Sequence, residues 1–210
     1  MTKISRATGV GRTIALACLS LALGAQQAQA HLVTTGFGPI YDGVAHFALT
    51  PEDLLPVAGL AILATLRGPA HGRWALFALP AFWLAGGIVG WLVGRPADEL
   101  APGACLLLVG ALVALDAPLP IWASVGMVAL FAACLGYTDG SALPKVPSSV
   151  EMLLGMALSA FTVFALITAL VLPLRSHIAR VAMRVSGSWM AATGLLLIGW
   201  SIRSGLRLTA

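Results

Sequence analysis

From residue 152 to residue 172 the chain runs 21 positions without one charged side chain. A bilayer core of roughly 30 Å takes about 20 apolar residues per helix, so a segment of this kind has the length and chemistry to cross one. Several other stretches look alike, and together they leave no room for a soluble core. Apolar residues make up 59% of the 210 positions and charged residues only 10%, against roughly a quarter charged in soluble domains. Too few charges remain to cover that much apolar surface in water. The chain therefore reads as an all-α integral membrane protein, a helical bundle.

Six spans are expected. The first covers residues 52–66, with a re-entrant lead-in over 43–49. The others are 74–93, 104–115, 119–135, 152–172 and 189–202. Asp116-Ala117-Pro118-Leu119-Pro120 is a tight proline turn that makes a helical hairpin of the third and fourth. Gly86, Gly90 and Gly94 recur every four residues in the second span and form a small-residue stripe for close helix approach. Ser148-Ser149-Val150-Glu151 reads as a capping box opening the fifth. Residues 178–185, with Arg180 and Arg184 one turn apart, read as an interfacial amphipathic helix.

The N-terminus has the layout of a cleaved signal peptide, residues 1–30. Lys3 and Arg6 precede an apolar run over 13–23, and Ala28-Gln29-Ala30 has the small-x-small form that signal peptidase accepts. Residues 31–210 then form one polytopic membrane domain whose first residue is His31. Its α-amine and imidazole can chelate a divalent metal together; equally, any residue can follow a cleavage site. Cleavage leaves the mature N-terminus outside the cytoplasmic membrane, in the periplasm of a Gram-negative host. The loops after spans one, three and five then face inward. Arg67 and Arg73 flank the first of these, and Arg175, Arg180 and Arg184 line the third, the positive-inside asymmetry.

The formal charge of +4 does not point to nucleic acid, because the cations are spread over short loops. Cys18, Cys105 and Cys134 lie in separate apolar runs and make no disulfide framework. No phosphate-cradling glycine loop, Ser/His/Asp set or Cys-x-x-Cys pair is present, which argues against an enzyme and against nucleotide-driven chemistry. His71 and His177 lie among arginines and read as solvated loop residues, and Asp116 reads as a turn residue.

The polar residues concentrate ahead of the first span. Asp42, His46, Glu52 and Asp53 lie within a dozen positions, and ionisable groups at the edge of an apolar helix are functional candidates. Imidazole with carboxylates suits borderline divalent ions such as Ni, Co or Zn. A structural account competes for two of the four. Thr50-Pro51-Glu52-Asp53 is a helix start in its own right, with Thr as N-cap, Pro in the first turn and acids facing the dipole. Pro51 also argues against one unbroken helix from His46 to Asp53. It accounts for neither His46 nor Asp42.

This stretch resembles the HupE/UreJ family of membrane proteins associated with nickel-enzyme maturation. That family's first-span motif looks like Gly-x-x-His-Pro-x-x-Gly-x-Asp-His-Leu-Leu. Here Gly43, His46, Leu54 and Leu55 keep their places, the acid is Glu52, and Asp53 stands at the second histidine. The second motif, His-Gly-x-x-His-Gly-x-Glu, falls on residues 135–142. Gly136 and Gly140 persist, while Leu135, Asp139 and Ala142 replace the two histidines and the glutamate. The resemblance implies a permease-like protein that moves a divalent metal inward. Nickel is the expected cargo, with cobalt or zinc as alternatives, and no cofactor is tightly bound. The implied ligands are His31, Asp42, His46, Glu52, Asp53 and, from the fourth span, Asp139. The implied partners are the bilayer, the ion and nickel-enzyme maturation proteins. The lost second-motif ligands favour another class, a non-transporting accessory or scaffold for hydrogenase or urease assembly. Asp139 discriminates the two: inside the bundle near His46 it favours transport, and beside Lys145 in the outer loop it favours the scaffold.

Overall fold

A computed structural model describes residues 34–98, 100–174 and 176–208. The expected signal peptide and His31 lie outside the described residues. Within them the chain forms seven α-helices: α1 (Pro39–Leu49), α2 (Pro51–Leu66), α3 (Pro69–Val93), α4 (Ala101–Ala114), α5 (Ile121–Ala142), α6 (Ser148–Val171) and α7 (His177–Leu208). The first three each open on a proline, whose missing N–H costs nothing in a first turn. Gly38 and Gly68 precede two of these prolines at φ 109° and 120°, in the region that a side chain disfavours.

Helices α3, α5, α6 and α7 are each long and apolar enough to cross a bilayer, and α1 with α2, bent by 76°, make a fifth crossing if the pair is one span. Helix α4 is apolar but has only 14 residues. The chain is thus a helical membrane bundle, and the bend falls where the re-entrant lead-in was expected. Residues 178–185 are not a separate interfacial helix. They are the first turns of the 32-residue α7, because Arg180 and Arg184 are anchored to the end of α4, Arg184 through Nε–H to the Ala114 carbonyl at 2.9 Å. The capping box does not form either: the Ser149 hydroxyl donates to the Pro144 carbonyl at 2.7 Å, and no side chain caps α6.

Backbone-to-backbone packing dominates the bundle. Helices α3 and α5 run parallel, and a Cβ on Gly86, Gly90, Gly136 or Gly140 would overlap the facing helix's main chain at Ala133, Tyr137, Trp83 or Gly87. Gly94 leaves the expected stripe and ends α3 instead, in a left-handed conformation at φ 63°. Helices α4 and α7 run antiparallel through a second set, Gly103 and Gly110 against Gly194 and Gly187. Gly43 of α1 and Gly155 of α6 make a third such contact. Without these glycines the helices could not approach so closely, and close approach is what drives helix association in lipid. Helix α2 lies in the middle, its Val57, Leu60, Ala61, Leu63 and Ala64 fully buried. Phe77, Trp122, Leu158 and Leu170 point outward and stay exposed, as lipid-facing side chains do.

The expected helical hairpin does not form, because α4 packs on α7 and α5 on α3, yet the α4–α5 turn carries an ion-pair centre. Asp116 N–H and Ala117 N–H donate to the carbonyls of Val113 and Leu112, a Schellman ending with Asp116 left-handed at φ 50°. That geometry aims its carboxylate at two arginines. One oxygen pairs with the nearly buried Arg67 at the end of α2, and the other accepts from Arg180 Nε at 2.6 Å. Burial and the neighbouring Arg180 both lower the Arg67 pKa. Asp116→Asn keeps the left-handed tolerance but removes the charge, and leaves Arg67 buried without a counter-ion. It is expected to cost about 2–3 kcal/mol in denaturant unfolding in detergent. Arg180→Ala removes a guanidinium that is mostly exposed and is expected to cost less than about 1 kcal/mol. Equal losses from the two would contradict this account.

Candidate metal centre

The break at Thr50 builds one side of the site. Pro51 has no N–H to give the Phe47 carbonyl, so that carbonyl takes the Thr50 N–H at 3.4 Å instead. The Thr50 hydroxyl donates to the His46 carbonyl at 2.7 Å. Thr50, extended at φ −101° and ψ 97°, then starts α2 by accepting from the N–H groups of Asp53 and Leu54, both at 3.1 Å. It is the N-cap by position, but its side chain faces backward. The turn folds α1 over α2, so that His46 near the end of one meets Asp53 in the first turn of the other.

Helix α5 supplies the third residue. Gly136 and Gly140 lie flat against the α3 backbone at Trp83 and Gly87, and Asp139 sits between them, 8% exposed. The two glycines that the second motif retains are thus packing devices that hold Asp139 inside the bundle. One ligand atom each from His46, Asp53 and Asp139 lies within 4.8 Å of the others. Asp53 is 5% exposed, and Oδ2 of both aspartates is buried with no hydrogen-bond partner among the described residues.

Buried carboxylate oxygens are costly unless paired, and at this spacing two carboxylates repel strongly in a low dielectric. A divalent cation between them removes the repulsion and supplies the missing partner to both orphaned oxygens. One nitrogen and two carboxylate donors form a harder set than a histidine-rich one, open to Ni, Co or Zn. The residues present therefore fit a divalent cation.

Of the residues singled out in the sequence, the structure brings together His46, Asp53 and Asp139. Asp139 faces the bundle; Lys145 instead donates to the Leu92 carbonyl at 2.8 Å. Glu52 adjoins Asp53 but is exposed and outside the group. Asp42 is turned to the segment before α1, accepting from the N–H and hydroxyl of Thr35 at 2.6 and 2.7 Å. His177 is exposed as expected, whereas His71 is half-buried in the first turn of α3 with Nε2 unpartnered. Sequence reasoning missed Trp83. It is 0% exposed, stacks edge-to-face with Phe47 at 5.7 Å between centroids, and approaches the Asp139 carboxyl group. Its one signal was the position, one turn ahead of the Gly86 stripe.

Among known proteins, a family described as HupE / UreJ protein matches residues 19–197. Neither a curated protein nor a solved structure matches the chain.

Proposed function

The chain belongs to the HupE/UreJ family, and from that premise we propose that it is a permease-like protein of the bacterial cytoplasmic membrane that passes a divalent transition metal inward, nickel first, with cobalt or zinc as alternatives. Family membership implies a metal-accessory role for hydrogenase or urease, and the cargo would serve the maturation of such an enzyme. The observation that carries the transport reading is the buried His46–Asp53–Asp139 group, with an unpartnered oxygen on each aspartate. In this reading the mature N-terminus is periplasmic, α4 counts as a sixth crossing beside α7, and His31, Asp42 and Glu52 draw cations toward the mouth of the site. With no ATP-binding motif in the sequence, the membrane potential drives the ion. It favours inward movement of a divalent cation by about 4.6 kcal/mol per 100 mV.

The test is radionickel accumulation in cells stripped of their own nickel importers, comparing the chain, His46→Ala and an empty vector. Accumulation by the wild type and a drop of at least about tenfold in His46→Ala, at equal membrane levels, are expected. Equal accumulation by the two would remove the site from the transport path. A second reading, a non-transporting scaffold, draws support from Leu135. It is 2% exposed in the apolar core where the family motif has histidine, so that ligand position has become packing. A wild type that accumulates no more than the vector would favour the scaffold.

A further inference from the structure

Trp83 is the largest fully buried side chain among the described residues, and its Nε1–H has no completed hydrogen bond to any of them. A buried indole usually finds an acceptor for its N–H. The group in reach is the Asp139 carboxyl, which itself has an unpartnered oxygen. Both are therefore polar atoms in search of a partner, within the same packed layer.

Their arrangement is fixed by the backbone. Gly136 allows α5 to rest on the main chain of Trp83 itself, and Gly140 to rest on Gly87 one turn on. Asp139, between the two glycines, is thereby held next to the indole. The ring's other contact, edge-to-face on Phe47 at 68°, ties it to the residue after His46. One side chain thus touches the elements that carry two of the three candidate ligands.

A carboxylate has two oxygens and swings freely unless one is held. Metal-bound carboxylates and imidazoles are commonly oriented by a hydrogen bond from a residue that does not touch the metal. We propose that Trp83 is the positioning residue of this centre: its indole N–H holds one oxygen of Asp139 and turns the other toward the cation shared with His46 and Asp53. The proposal rests on the metal-site reading above.

The experiment uses the full-length protein in detergent micelles, titrated with Co²⁺ and followed by the visible d–d bands of the bound ion. Four forms are compared: wild type, His46→Ala, and two replacements at position 83, Trp83→Phe and benzothienylalanine, the latter exchanging N–H for sulfur at nearly constant shape. Thermal unfolding of each is recorded in chelator. The expected result is a ten- to hundredfold weaker Co²⁺ affinity and altered d–d bands in both replacements, with metal-free unfolding temperatures within a few degrees of wild type. Unchanged affinity and bands in either folded replacement would overturn the role of Trp83 and leave the metal site standing. Loss of metal-free stability in both would make the N–H a structural group and overturn it as well. A wild type with no His46-dependent Co²⁺ bands would bring down the site reading, and this inference with it.

Discussion

Gly140→Val is expected to prevent the bundle from forming. A Cβ at this position would overlap the carbonyl group of Gly87 on the parallel helix α3, and a main-chain atom cannot rotate aside as a side chain does. The only relief is to push α5 off α3, which breaks the contacts at Gly86, Gly90 and Gly136 together. Overpacking a core costs about 1–3 kcal/mol where side chains can adjust. Separating two helices forfeits more, a large part of the 5–15 kcal/mol that typically holds a folded domain. The measurement is the yield of monodisperse protein in detergent, with thermal unfolding of whatever is recovered. Gly126, where a Cβ meets nothing within 4 Å, is the control, and Gly126→Ala is expected to behave as wild type. A Gly140→Val protein with wild-type yield and unfolding temperature would refute the close α3–α5 contact.

Asp139→Leu is expected to do the reverse, sparing or raising stability while removing function. The two side chains share the same branched four-atom skeleton, and the replacement takes a carboxylate with an unpartnered oxygen out of an apolar layer and puts a methyl pair against Trp83. Exchanging buried ionic groups for apolar ones of like volume is commonly neutral, or stabilising by about 1–4 kcal/mol. Metal accumulation, by contrast, loses one of its three donors and the charge opposite Asp53, and is expected to fall to the level of an empty vector. Unfolding in chelator and radionickel accumulation are measured on the same variant. If both fall together, Asp139 holds the fold, and the metal reading fails. If neither falls, the cation does not pass by Asp139.

The bundle was readable from the chain because charge-free runs and lipid thickness leave few alternatives, and Thr50-Pro51 announced a break because proline cannot donate to the preceding turn. Bringing His46 and Asp53 together needed only that break. Asp139 was a different matter. Nothing local to residues 135–142 distinguishes an acid inside the bundle from one in an outer loop; the second motif's spacing named it, and the glycines on either side explain its burial only once α3 is known to lie against them. Trp83 was passed over, and Asp116 was read as a turn residue, for the same reason. A tryptophan in an apolar span and an aspartate in a turn have meaning through the partners that helix register brings to them, Asp139 for one and Arg67 for the other, and register between helices is not written in either segment alone.

The glycine contacts also distribute stiffness. Helices α3 and α5 are joined main chain to main chain, as are α4 and α7, so each pair resists internal shear. Helix α2 meets the second pair differently: a Cβ on Gly59 would touch side-chain atoms of Val109 and Met190, not backbone. Side chains change rotamer at low cost, so this seam gives more readily than the two glycine-to-backbone seams. Along it, Asp53 and Arg67 stand about 21 Å apart at opposite ends of α2. The candidate metal centre and the Arg67–Asp116 pairing are thus tied to the two ends of a single helix.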